Sequence, residues 1–153
     1  MSFGFRERTD RIAMTEEMGP EESEHHSFHT FHHDVLLLSL PAEEASNANG
    51  NYNTAWELRY EIVNHPTSYL ANATFLDLST AQLDAIEALT RMVAAIPDDA
   101  VSPKCVNTRT AEGDIASLKH PAWDSARAYA AEVIKILQPV AIRNKAYFER
   151  FRL

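Results

Sequence analysis

The residues with the clearest chemical potential are histidines in the segment from residue 25 to residue 33. If this segment is helical, three of them share one face and could offer imidazoles to zinc, nickel or copper, with Asp34 as a further ligand. The residues predicted for such a metal site are His25, His29, His32 and His33.

Two other interpretations of the histidine segment stay open. Phe28 and Phe31 alternate with the histidines, which is typical of an amphipathic stretch that docks on a neighbour, and a solvated polar face is equally compatible. Because histidines gain charge below about pH 6.5, docking could depend on pH.

The remaining reactive side chains do not predict catalysis. Cys105 is the one cysteine, so it can form neither an intramolecular disulfide nor a Cys-x-x-Cys pair, and it would act as a nucleophile only beside His65 or His120. Glu57, Glu61 and His65 follow at one-turn spacing and could bind a cation or exchange protons, but a charged outer face is expected.

Common enzyme signatures are missing from the sequence. The four glycines are far apart, so no phosphate-binding loop can be formed, and neither a Gly-x-Ser-x-Gly nor a His-Glu-x-x-His motif occurs. We therefore expect a non-enzymatic protein without a cofactor. The longest apolar run, from residue 35 to residue 38, is too short to span a membrane.

The charge balance favours a protein partner. With 22 acidic and 14 basic residues the net charge is −8, which disfavours general nucleic-acid binding and would attract a basic protein. The carboxylates expected to contact it are those of Asp98, Asp99, Glu112 and Asp114. No apolar run follows the N-terminal arginines as in a secretory signal, so a cytoplasmic location is expected. The oligomeric state is not constrained.

Length and hydrophobic spacing predict an all-α protein. At 153 residues the chain is expected to fold as one compact bundle of about four to five helices, residues 27–153, preceded by a flexible acidic arm, residues 1–26. Residues 27–45 are compatible with either a helix or a short buried strand.

Two helices are predicted from their N-terminal caps. Thr54 with Glu57 predicts a helix that ends near His65, with Trp56 and Tyr60 on its apolar side. A capping box predicts a second helix from residue 79 to residue 96, whose capping residues are Ser79 and Gln82.

The second half of the chain predicts a long connection and then further helix. Residues 98–119 are polar, with a helical turn expected at 114–118. A helix then begins at Pro121, ends or kinks at Pro139 and resumes, and its alanines favour close antiparallel packing against the residue 79–96 helix. Trp56 and Trp123 are both predicted to lie in the core, with a role as interface anchors as the alternative.

Caps and core positions in about two-thirds of the chain resemble those of small bacterial proteins of the helical immunity type, which neutralise a cognate secreted toxin. The matching segments are residues 53–58, Tyr69-Leu70, residues 78–89, Ile96-Pro97, and residues 120–123 with Arg127 and Ala130. This resemblance implies a helical toxin inhibitor and carries over no functional residue. The sequence therefore supports an immunity-type protein-binding domain, with a metal-binding protein or metal-dependent helical enzyme as the alternative.

Overall fold

The computed structural model describes residues 18–65, 70 and 72–150. These residues form six α-helices and two short 3-10 helices and contain no strand, so the all-α prediction is confirmed. No helix among them is long and apolar enough to cross a membrane. The α-helices are α1 (Pro20–Ser39), α2 (Ala42–Ala48), α3 (Thr54–His65), α4 (Thr80–Ala94), α5 (Ala111–Leu118) and α6 (Asp124–Arg150).

The long helices α1 and α6 form the centre of the bundle. They run antiparallel, because His25 near the start of α1 bonds Asn144 near the end of α6, while Arg127 near the start of α6 donates to the carbonyl of Leu40. Helix α3 packs against α1, and α4 packs against α6. The core between them is aliphatic and aromatic, with Phe31 among its fully buried side chains.

Helix α1 begins earlier than the sequence analysis predicted. Pro20 occupies the first turn, Glu21 and Glu22 lie near the positive end of the helix dipole, and His25 is already buried. The assignment of residues 20–26 to a flexible arm is therefore wrong, because this turn packs against α6. The rest of the predicted arm up to residue 17 lies outside the described residues.

The segment from residue 27 to residue 45 is helical. It comprises the rest of α1 and the start of α2, separated at Leu40-Pro41. A proline disfavours helical geometry in the residue before it, which explains the break. The two short helices α2 and α5 bring the count above the predicted four to five.

Helix α3 has its predicted length, but it buries the opposite face to the one that the sequence predicted. Its buried side chains are Ala55, Leu58 and Ile62, while Trp56 and Tyr60 face the solvent. Thr54 is the first residue of the helix and not a capping residue before it, and its hydroxyl donates a hydrogen bond to the distant carboxylate of Asp114.

The start of α4 follows the prediction. Ser79 Oγ accepts from the backbone N–H of Gln82 at 3.1 Å, and Gln82 Oε1 accepts from the backbone N–H of Ser79 at 2.8 Å, which confirms the capping box. Contacts of α4 with α6 confirm the predicted pairing, and Gln82 near the start of α4 donates to the carbonyl of Ile136.

The long connection contains more helix than predicted. A 3-10 helix spans Asp98–Ala100, and α5 starts at Ala111, capped by the Thr110 hydroxyl that accepts from the N–H of Gly113. A Cβ on Gly113 would lie 1.9 Å from the carbonyl oxygen of Asn107, so only glycine fits this close approach. The chain therefore folds back tightly where the sequence predicted a loop.

The last helix continues through its proline. A 3-10 turn spans Pro121–Trp123, and α6 then runs to Arg150 with Pro139 inside it, although the sequence predicted an end or a kink there. Leu137 and Val140 on either side of Pro139 are fully buried, and this packing offsets the hydrogen bond that proline removes.

Candidate functional site

The predicted metal ligands all lie on α1 but do not converge. His25 is buried between the helices, where its Nδ1 lies 2.7 Å from Asn144 Oδ1 and its ring stacks on Tyr147 with centroids 3.7 Å apart. His33 is exposed, with its Nδ1 3.8 Å from Asp34 Oδ1. His25 is therefore a structural link between α1 and α6.

His29 and His32 face an open groove between α1 and α6. The groove has a volume of about 760 Å³, and His26 lines it as well. Burial lowers the pKa of both His29 and His32, and the neighbouring histidines lower it further. Within the part of the chain that the structure describes, no three His, Cys, Asp or Glu side chains are placed to hold a metal ion.

A second polar cluster lies at the contact between α1 and α3. Burial and, to a lesser extent, the nearby Glu61 carboxylate together raise the pKa of Asp34 to about 6, against the opposing effect of His33 and His65. Glu61 is paired with His65, whose Nε2 lies 2.6 Å from Glu61 Oε2. Asp34 is thus a half-buried carboxyl whose charged form is disfavoured.

Replacing Asp34 with asparagine should stabilise the protein at about pH 7.5 by about 1 to 2 kcal/mol, a value reduced for residual solvent contact. The folded chain holds the Asp34 proton more tightly than the unfolded chain, whose carboxyl has its ordinary pKa of 3.8. The contribution of Asp34 to the free energy of unfolding should therefore rise as pH falls through about 6, and the advantage of the variant should disappear below about pH 4.

Urea denaturation at several pH values would measure this effect. The matched control is Asp84→Asn on the exposed surface of α4, which should change the stability by less than about 0.5 kcal/mol at every pH. A destabilised Asp34→Asn variant at neutral pH would show that the ionised carboxylate has a favourable partner.

The other candidate histidines and glutamates have contacts of their own among the described residues. Cys105 is exposed. The two histidines considered as its bases have other contacts, since His65 pairs with Glu61 and His120 Nδ1 accepts from the backbone N–H of Ala122 as a helix cap. Glu57 accepts a hydrogen bond from the side chain of Asn49 at 2.8 Å.

The four predicted partner contacts divide into two groups. Asp98, Asp99 and Glu112 are exposed, and Asp98 pairs with Arg59 at 2.8 Å. Asp114 is 0% exposed, so its prediction as a contact is wrong. It accepts hydrogen bonds from the hydroxyl of Ser46, and from the backbone N–H and the hydroxyl of Thr54.

An exposed aromatic pair lies beside Asp98. Trp56 and Tyr60 stack with ring centroids 5.2 Å apart and an angle of 8° between the ring planes. The side chains are 49% and 53% exposed, so the prediction of Trp56 as a core residue is wrong. Arg59 lies in the same shallow depression and also donates to the carbonyl of Ile96.

We call this surface the Trp56 face, and it comprises Trp56, Arg59, Tyr60, Asp98 and Asp99. The sequence favoured the core for Trp56, with an interface anchor only as the alternative, because Trp56 and Tyr60 fit the apolar side of an amphipathic helix. The available signal was the second apolar row of α3, formed by Ala55, Leu58 and Ile62, which competes for the core.

Aromatic and polar side chains are thus clustered at two places on the described surface, the Trp56 face and the α1–α6 groove. The first combines stacked rings with exposed carboxylates, and the second combines imidazoles with apolar side chains. Comparison with known proteins adds no further guide, since no family model, no curated protein and no solved structure matches this chain.

Proposed function

We propose that this chain is a non-enzymatic domain that binds a basic protein partner through the Trp56 face. The observation that carries this proposal is the stacked pair of Trp56 and Tyr60, which is half-exposed on a well-packed helix. Large aromatic side chains dominate the binding energy of protein interfaces. Because each ring limits the movement of the other, less side-chain entropy would be lost on binding.

The charge around the aromatic pair favours a basic partner. Asp98 is exposed and pairs with Arg59 of this face, Asp99 next to it in the chain is also exposed, and the whole chain carries a net charge of −8. Arg59 offsets part of the charge of Asp98. A partner arginine would stack on the rings and pair with Asp99, while the overall negative field would accelerate association at low salt.

The most concrete form of this function is an immunity-type inhibitor of a bacterial toxin. A toxin that acts on nucleic acid needs a cationic cleft for phosphates, and an acidic domain with aromatic anchors is complementary to such a cleft. An inhibitor of this kind would act in the cytoplasm of the cell that produces it. The role requires binding alone, in agreement with the reactive side chains having separate contacts.

Replacing Trp56 with alanine should weaken partner binding by about 2 kcal/mol, or roughly thirtyfold, because an aromatic anchor is removed. Tagged chain would be used to capture partners from a lysate of the source organism. Affinity would then be measured with the purified partner at two salt concentrations. We expect one basic protein whose affinity falls as salt rises.

The matched control is Phe75→Ala, because Phe75 is also 49% exposed but lies outside the Trp56 face. This variant should bind as wild type does. Equal losses for both variants, or capture of chaperones alone, would contradict the proposal. For the inhibitor form, the captured protein should be toxic when expressed alone and harmless when it is co-expressed with this chain.

A further inference from the structure

We propose that the groove between α1 and α6 binds a small aromatic anion, and that this binding becomes tighter as pH falls and the groove histidines are protonated. This site is separate from the Trp56 face and does not depend on the proposed partner. Its volume of about 760 Å³ lies within the range of small-molecule sites. Its walls combine three imidazoles from α1, those of His26, His29 and His32, with apolar and amide side chains of α6.

One buried nitrogen in the groove wall lacks a partner. His32 Nε2 is shielded from solvent and has no hydrogen-bond partner among the described residues, although the His32 ring stacks on Phe28 with centroids 5.5 Å apart. Buried polar atoms are usually hydrogen-bonded, and leaving one without a partner costs about 1 to 3 kcal/mol. His32 therefore carries unmet hydrogen-bonding capacity at the groove wall.

The rest of the groove suits an aromatic ring. Phe148 packs directly against the imidazoles, with its ring centroid 4.7 Å from that of His26 and 6.0 Å from that of His29, so these rings form one aromatic wall. Ile142 lines the same wall and is 59% exposed, so it provides apolar surface that a ligand could cover. Offset and edge-to-face contacts with these rings favour a flat aromatic body.

The charge of the groove changes sign with pH. At neutral pH its fixed charges are those of Glu22, Glu149 and Lys145, which leave one net negative charge. Protonation of His29 and His32 makes the groove net positive. Burial and, to a lesser extent, the neighbouring histidines lower the pKa of His29 and His32. A bound anion would supply the negative charge that stabilises their protonated forms. By linkage, an anion and these protons should bind together.

Other charged groups that line the groove or lie near α1 already have partners. Glu22 lies 3.9 Å from His26, and Lys145 lies 4.0 Å from Glu149. Glu24 accepts from backbone N–H groups of residues 74–76, and on the α3 side Glu61 and His65 act on Asp34 together with His33. At the end of α6, Arg150 lies over the Tyr147 ring, which stacks on His25. His29 and His32 therefore control the change in charge.

Calorimetric titration of the full chain with naphthalene-2-sulfonate would test this inference, because the sulfonate remains ionised throughout the pH range used. We expect binding at about pH 5 to be at least about tenfold tighter than at about pH 7.5, with proton uptake at intermediate pH. Naphthalene-2-methanol, a neutral analogue, should bind weakly and without pH dependence. Equal affinity of the two compounds at low pH would overturn the proposal.

Variants locate the site. His29→Gln with His32→Gln should abolish the pH dependence, whereas His33→Gln, on the exposed side of α1, should retain it. Ile142→Glu places an opposing charge on an exposed wall and should weaken sulfonate binding at least about tenfold without affecting the fold. If the double variant does not fold, Ile142→Glu still tests the site. Sulfonate affinity equal to that of the wild type in Ile142→Glu would overturn the proposal. Trp56→Ala should leave sulfonate binding unchanged, which separates this test from that of the Trp56 face.

Discussion

Replacing Asp114 with alanine should lower the free energy of unfolding by about 3 to 5 kcal/mol. The Asp114 carboxylate is fully buried and accepts from the Ser46 hydroxyl at 2.6 Å and from the backbone N–H of Thr54 at 2.6 Å. The Thr54 hydroxyl also donates to it. These bonds join α5 to α2 and α3, and alanine would leave three buried donors without their acceptor.

Chemical denaturation monitored by circular dichroism would measure this loss. The matched control is Glu112→Gln in the same turn of α5, because Glu112 is exposed, and it should change the stability by less than about 0.5 kcal/mol. Asp114→Asn keeps the shape but presents an amide N–H₂ group to hydroxyl and N–H donors, so it should also be destabilising. A loss below about 1 kcal/mol for Asp114→Ala would show that the donors find other acceptors.

The sequence could not distinguish Asp114 from the exposed acids around it. Its donors come from Ser46 and Thr54, which are 68 and 60 residues away, and no local pattern connects them. Gly113 gave the one local signal, because a glycine inside a helix indicates that another backbone comes close. The error about Asp114 therefore arose from tertiary contacts.

Features determined by neighbouring residues were predictable. The capping box of α4 depends on Ser79 and Gln82 alone, and its buried stripe follows the helical period over four turns. The all-α fold follows from several such patterns. The α1–α6 groove was only partly predictable, because the sequence placed the histidines on one helix but not the side chains of α6 that form the opposite wall.

The two tryptophans show where local patterns fail. Each lies near the start of a helix beside apolar residues, yet Trp123 is 0% exposed and Trp56 is 49% exposed. Helix α3 carries two apolar rows, and the row with Leu58 and Ile62 is the buried one. Trp123 has a buried partner for its polar atom, since its Nε1–H donates to the carbonyl of Ala100 at 2.9 Å. The choice between the two rows depends on how α3 packs in the whole bundle.

Replacing Trp123 with alanine should therefore lower the free energy of unfolding by about 3 to 5 kcal/mol, because it leaves a large cavity and removes the hydrogen bond to Ala100. Trp56→Ala is the matched control and should cost no more than about 0.5 kcal/mol, since a half-exposed ring leaves no cavity. Urea denaturation of both variants would measure the difference, with the m-value as a check on two-state unfolding. Similar losses for the two variants would mean that Trp56 supports the fold, and the Trp56 face would then lose its role as a binding surface. A large loss for Trp123 alone would leave Trp56 available to a partner, because its ring would then contribute little to the stability of the free protein.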